Sequence, residues 1–142
     1  MPEYFSAAVS YVFLDQVSVS GSGTIQVKDV KFYISEGTNA SAYIGIYTDN
    51  GSGAPSSLIA STKQSYNVSQ WNTASFPFLY LTAGQNYWLA FSATGGVAAD
   101  PGAATGSSDG YGPFTSVLPV TLEPTPQAVE PYTMGIQLEY CQ

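Results

Sequence analysis

Alternating hydrophobic and polar positions predict β-strands along most of this chain. In VKFYI (30–34) the three apolar residues at even positions share one face, and Lys31 and Tyr33 share the other. The preceding segment, TIQVK (24–28), places its apolar residues at odd positions, which predicts a bulge or break near Lys28 and Asp29. The remaining strands are predicted at 11–19, 42–48, 58–62, 73–81, 86–93 and 132–140. Pro77 indicates that the strand at 73–81 is an edge strand or contains a bulge.

No segment has a helical period, and Gly and Pro recur too often for a helix longer than about two turns. Many short strands at regular spacing predict an all-β protein, a single jelly-roll-like antiparallel β-sandwich. We expect one domain over residues 1–142. Within it, residues 94–131 are predicted to form a long irregular segment, because strand signals are sparse there.

The composition and charge of the chain argue against nucleic acid and membranes as partners. Charged residues make up 9% of the chain and aromatic residues 14%, whereas an ordinary soluble domain has roughly 25% charged residues. The formal net charge is −7, from ten acidic residues and three lysines, without arginine. Such a surface opposes binding to nucleic acid and to anionic membranes, because both need clustered Lys and Arg. No apolar run approaches the ~18 residues of a membrane span.

Catalytic motifs are largely missing. The chain has no histidine, which excludes Ser-His-Asp and Cys-His centres and most catalytic zinc sites. No glycine-rich phosphate-binding motif follows a strand. A glycosidase-type pair of carboxylates stays open as an alternative, because two acids that are distant in sequence can meet in the fold. We predict a protein that is not an enzyme, without catalytic residues and without a cofactor.

The loop TDNGSGAP (48–55) offers a weak candidate for a metal ligand, Asp49. Calcium requires six to eight oxygen ligands, several of them from carboxylates, and Asp49 is the only acid in this loop. Asx-Gly sequences are also common in hairpins, because these residues tolerate a positive φ. We therefore favour a hairpin turn between the strands at 42–48 and 58–62, and we predict no metal site.

Aromatic side chains are the other candidate chemistry, because the faces of their rings can stack on sugar rings. Tyr43 and Tyr47 share the strand face opposite two isoleucines, and Trp71 and Tyr111 are further candidates for such a ligand-binding surface. The alternative is packing inside the sandwich, which we expect for Trp88.

The ends of the chain bear on its location. Cys141 is the single cysteine, so it forms either a free thiol or an intermolecular disulfide. Residues 1–10 lack the basic and apolar regions of a secretory signal. Either Met1 was added to a mature secreted domain, or the chain leaves the cell by another route, as virion proteins do on lysis.

Three stretches carry a family resemblance: VKFYIS (30–35), IGIYTDNGSGAPSSLIAST (44–62) and WNTASFPFLYLTAGQNYWLAFSA (71–93). Over roughly residues 30–93, the chain resembles a β-sandwich module of bacterial extracellular proteins, of the choice-of-anchor type, and of phage-encoded surface proteins. The resemblance implies adhesion, contact with carbohydrate or a structural role. It supplies no catalytic residue.

Two functions are therefore expected. The first is a structural or decoration component of a virion or similar extracellular assembly, with other protein subunits as partners. The second is a carbohydrate-binding or adhesion module of a secreted bacterial protein, with surface glycans as partners. Both place the chain on a virion or outside the cell.

Overall fold

Only β-strands, turns and bends occur in the part of the chain that the computed structural model describes, namely residues 5–6, 12–37, 40–93, 96–98, 105–111, 118, 128–132 and 135–141. No helix capable of crossing a membrane occurs in these ranges. The strands are β1 (Phe5–Ser6), β2 (Val12–Ser18), β3 (Thr24–Gly37), β4 (Ala40–Asp49), β5 (Pro55–Tyr66), β6 (Gln70–Ser75), β7 (Tyr80–Thr82), β8 (Asn86–Ala93), β9 (Gly96–Ala98), β10 (Thr105–Tyr111), β11 (Ala128–Tyr132) and β12 (Ile136–Tyr140).

The strands form two antiparallel sheets. In sheet A, the strand order is β1-β9-β3-β12, and β6 and β7 also pair with β3. In sheet B, the order is β11-β10-β2-β8-β4-β5. This arrangement confirms the predicted all-β class and is that of a β-sandwich. Its jelly-roll character stays a prediction.

The main core lies between the sheets. Phe32 of β3 and Phe91 of β8 meet there, with ring centroids 6.4 Å apart. The alternating apolar residues of β3, β4 and β8 supply most of the other buried side chains, among them Val30, Ile34, Ile44, Ile46 and Leu89. Burial of these side chains removes a large apolar area from water, which is the main favourable contribution to folding.

Sheet B is also apolar on the side that faces away from the main core. A second buried cluster lies there and comprises Val12, Leu14, Tyr47, Trp88, Ala90 and Leu118. Leu118 lies far from the other members in sequence and covers them from outside the sheet. Residues on both faces of β2 and β8 are buried. For this reason, each of these strands contains a run of consecutive apolar residues, such as VFL in β2 and YWLAF in β8.

The predicted irregularity in β3 is a bulge. Opposite β12, Asp29 pairs with Glu139 and Val27 pairs with Tyr140, so Lys28 is the extra residue. Val27 stands at an odd position of the sequence and Val30 at an even one, so regular alternation would place them on opposite sides of the sheet. The extra residue Lys28 shifts the alternation by one position, and both Val27 and Val30 are buried in the core. This prediction is confirmed.

Two predictions of strand boundaries are wrong. The expected strand at 73–81 is divided by a turn at Pro77 and Phe78 into β6 and β7. Proline lacks the amide proton that a central strand needs, and Phe78 has a positive φ of 63°. The segment 94–131 is not irregular throughout, because it contains β9, β10 and most of β11.

The contact between Gly45 and Leu118 can be tested by substitution. A Cβ added at Gly45 would clash with Cδ1 of Leu118 and would approach the Ala60 carbonyl oxygen to 3.2 Å. We expect Gly45→Ala to destabilise the fold by about 1–3 kcal/mol. In urea unfolding, Leu118→Ala should cost less in the Gly45→Ala background than in the wild type. Additive effects of the two substitutions would contradict this contact.

Candidate functional site

The best candidate site is the side of sheet A that faces away from the core. Strand register brings three rows of side chains together across β12, β3 and β6. We call this surface the outer face, and it consists of Tyr33 and Trp71, then Gln137, Lys31 and Thr73, then Glu139, Asp29 and Ser75. These side chains alternate with the core residues of the same strands, so the core packing positions them.

An aromatic pair forms one end of the outer face. The rings of Tyr33 and Trp71 are edge to face, with centroids 5.6 Å apart and an interplanar angle of 71°. This arrangement suits the ring quadrupoles and holds the two side chains in fixed orientations. Trp71 is still 39% exposed. The pair therefore offers a fixed apolar surface to a ligand from solvent.

Polar side chains continue from this pair along the strands. The Lys31 ammonium donates to Oγ1 of Thr73 at 3.0 Å and lies 3.7 Å from a carboxylate oxygen of Glu139. Lysine has three donors, and a carboxylate accepts several hydrogen bonds. These groups can therefore hydrogen-bond a ligand and keep their contacts with each other.

The carboxyl groups of Asp29 and Glu139 lie at the other end of the outer face. Asp29 is only 5% exposed, and its Oδ1 has no hydrogen-bond partner. Desolvation raises the pKa of Asp29, and a hydrogen bond with the Glu139 carboxyl and repulsion by that group raise it further, against the opposing charges of Lys31 and Lys28. Asp29 is therefore harder to ionise than an exposed aspartate.

This carboxyl pair does not have glycosidase geometry. Retaining glycosidases hold their two carboxyl groups about 5–5.5 Å apart, and inverting ones hold them further apart. Asp29 and Glu139 are opposite residues on β3 and β12 and interact directly with each other. Among the described residues, no three His, Cys, Asp or Glu side chains are grouped so that they could hold a metal ion.

Two of the predicted aromatic residues do not form an exposed surface. Tyr47 is 0% exposed, because Leu118 and the second cluster cover the side of sheet B on which it lies. The prediction of Tyr47 as a ligand-binding residue is therefore wrong, and burial raises its pKa. Tyr43 is partly buried against the same cluster, and the Lys63 ammonium lies 5.9 Å from its ring centroid.

Of the other two predicted aromatic residues, the structure describes the side chain of Trp71 but not that of Tyr111. Trp71 belongs to the outer face. Tyr111 ends β10 and pairs with Val12 of β2, and its side chain lies outside the described ones. The expected packing of Trp88 is confirmed, because this residue is buried in the second cluster.

Asp49 serves as the anchor of the predicted hairpin. Its Oδ2 accepts hydrogen bonds from the amides of Gly51 at 2.8 Å and Gly53 at 3.4 Å. Its Oδ1 accepts from the indole of Trp88 at 2.9 Å and from Gln16 at 3.2 Å. Partial burial alone would raise the Asp49 pKa, but these four hydrogen bonds together lower it. Protein donors thus occupy both oxygens, as in an Asx turn.

Three aromatic residues at the surface were missed as candidates. The alternation in β3 predicts that Tyr33 points away from the core. Its contact with Trp71 cannot be predicted in this way, because it depends on the register between β3 and β6. Phe78 and Tyr80 are 85% and 56% exposed. Their position in FPFLY suggested a single strand, and the proline was the one signal of a turn that would expose them.

Comparisons with protein-family models, with curated proteins and with solved structures give no match to this chain. The resemblance to a choice-of-anchor-type module therefore stays a prediction.

The carboxyl pair predicts an unusual dependence of stability on pH. Folding raises the pKa of Asp29, so ionisation of this carboxyl group destabilises the folded state. The loss of stability is absent below the unfolded-state pKa, where the group is protonated in both states. It is complete above the raised folded-state pKa, where the group is ionised in both states. We expect Asp29→Asn, which can still donate to Glu139, to raise the unfolding temperature at neutral pH and to change it little near about pH 3.

Asp49→Asn is the matched control for that experiment. Folding lowers the pKa of Asp49, so its charge contributes stability above the unfolded-state pKa, and this contribution is lost as the pH falls through the folded-state pKa. The same chemical change should therefore lower the unfolding temperature at neutral pH. If both variants shift the temperature in the same direction, the assignment of Asp29 is refuted.

Proposed function

We propose that this protein is a non-enzymatic glycan-binding module that works on a virion or outside the cell. The observation that carries the proposal is the exposed Tyr33–Trp71 pair beside a row of hydrogen-bonding side chains on the outer face. Sugar rings have apolar C–H faces and polar hydroxyl edges. An aromatic surface next to fixed donors and acceptors complements both parts of such a ligand.

The charges of the outer face favour neutral glycans. The Lys31 ammonium already has a carboxylate neighbour in Glu139, and the chain as a whole carries a net charge of −7. An acidic polysaccharide would meet this negative field, and the Lys31 ammonium would already be engaged by Glu139. Hydroxyl and acetamido groups need only hydrogen bonds, which Lys31, Thr73 and Gln137 can supply.

Two observations support binding without cleavage. The carboxyl groups of Asp29 and Glu139 interact directly with each other, whereas a glycosidase holds its two carboxyl groups apart on either side of the scissile bond. The chain also lacks histidine, the side chain that most often serves as general acid or base near neutral pH. The proposal therefore assigns the outer face to recognition alone.

The proposal can be tested with a panel of soluble neutral and acidic oligosaccharides. We expect a neutral oligosaccharide to bind, and Trp71→Ala to weaken that binding at least about tenfold, which corresponds to ~1.4 kcal/mol or more. Isothermal titration calorimetry measures the affinity, and thermal unfolding checks the fold. Phe78→Ala, which removes an exposed ring outside the outer face, is the control and should bind normally. Equal binding by wild type and Trp71→Ala would refute the proposal.

A second candidate function, that of a subunit in an assembly, is favoured by Phe78. This ring is 85% exposed, and the residue has a positive φ of 63°, a conformation that costs energy for a bulky side chain. Phe78 and the half-exposed Ile59 border a groove of about 370 Å³ between β5 and residues 75–79. None of the residues that line this groove is charged.

The partner in this second candidate is another copy of the chain. Two chains that each carry a net charge of −7 repel one another, so contact is least costly through an uncharged surface such as this groove and the exposed Phe78 ring. We expect Phe78→Ala to shift the wild-type oligomer toward monomer in analytical ultracentrifugation, whereas Trp71→Ala should not. A monomeric wild type at high concentration would exclude this candidate and leave glycan binding unaffected.

A further inference from the structure

The outer face has a second exposed aromatic residue at its far end. Tyr80 of β7 pairs with Gln26 of β3, and the next rung pairs Leu81 with Ile25. Leu81 belongs to the main core, so Tyr80 points to the opposite side of the sheet, the side of Tyr33 and Trp71. Tyr80 is 56% exposed.

The distance between the two aromatic positions suits an extended ligand. Along β3, the rung of Tyr33 and the rung of Gln26 are seven residues apart, and one of these residues, Lys28, is the bulge. At ~3.3 Å per residue, the remaining steps span roughly 20 Å. The polar side chains of the outer face, from Lys31 to the Asp29–Glu139 pair, lie along this path.

The bulge also affects the shape of the path. A β-bulge bends its strand and increases the local twist, so the surface near Tyr80 is turned relative to the surface near Trp71. A ligand that contacts both aromatic positions must therefore be extended and must tolerate a twist between successive units. A linear oligosaccharide meets both requirements, whereas a monosaccharide reaches only one position.

We propose that Tyr80 is a second binding position on the same face, and that the ligand is a linear neutral polysaccharide lying along β3 from Trp71 to Tyr80. This inference rests on the proposed glycan-binding function and adds the class of glycan. Its physical consequence is that affinity rises with chain length. A chain held at Trp71 presents its next units to Tyr80 at a high effective concentration.

The test uses the full chain and linear neutral oligosaccharides, β-1,4-linked glucose and N-acetylglucosamine, from disaccharide to octasaccharide. We expect wild-type affinity to rise at least about tenfold between the shortest and longest ligands that bind. Tyr80→Ala should bind the short ligands normally and lose this rise. Trp71→Ala should weaken binding at least about tenfold at every length. Phe78→Ala, which removes a neighbouring exposed ring, should retain the rise.

Cys141 provides an independent readout at this end of the face. It is exposed, and its amide donates to the carbonyl of Gln26 at 2.9 Å. A fluorophore attached to its thiol should respond to long ligands and not to disaccharides. An affinity independent of chain length, or a rise that persists in Tyr80→Ala, would overturn this inference alone. Absence of binding at every length in both series would overturn it together with the proposed function.

Discussion

The packing of β3 against β8 is the constraint on which the rest of the structure depends. Phe32 and Phe91 meet across the two sheets with their ring centroids 6.4 Å apart. Because side chains alternate along a strand, burying Phe32 forces Lys31 and Tyr33 to the opposite side. The same strand pairs with β6, β7, β9 and β12, so its orientation fixes which side chains of its neighbours face solvent. The candidate site is thus a direct consequence of the core.

The two sheets use their outer sides differently. The outer side of sheet B is apolar and covered, and Leu118 packs there against Gly45, where an added Cβ would clash with Cδ1 of Leu118. The outer face of sheet A carries polar and aromatic side chains in ordered rows. A covered side contributes stability, whereas an open side with fixed hydrogen-bonding groups is available for recognition. This difference is the basis for proposing sheet A as the binding surface.

Two features of sheet A and its connections oppose stability. Asp29 is buried beside Glu139 with a raised pKa, and Phe78 exposes a large ring from a backbone conformation that bulky residues rarely adopt. Natural sequences depart from local rules mainly where a site requires it. These two departures have different surroundings. Asp29 lies in a polar row, and Phe78 borders an uncharged groove. The proposed glycan contact and the proposed subunit contact can therefore be tested separately.

The sequence alone determined the β class, the bulge near Lys28 and the hairpin closed by Asp49, because each depends on local periodicity or turn chemistry. It also placed Tyr33 away from the core. Only the tertiary structure decided which side-chain faces are open. Tyr47 and Tyr33 have the same alternating pattern, yet the first is covered by Leu118 and the second pairs with Trp71. The reason is that periodicity fixes the face on which a side chain lies, whereas exposure depends on residues that are distant in sequence and are brought together by sheet register.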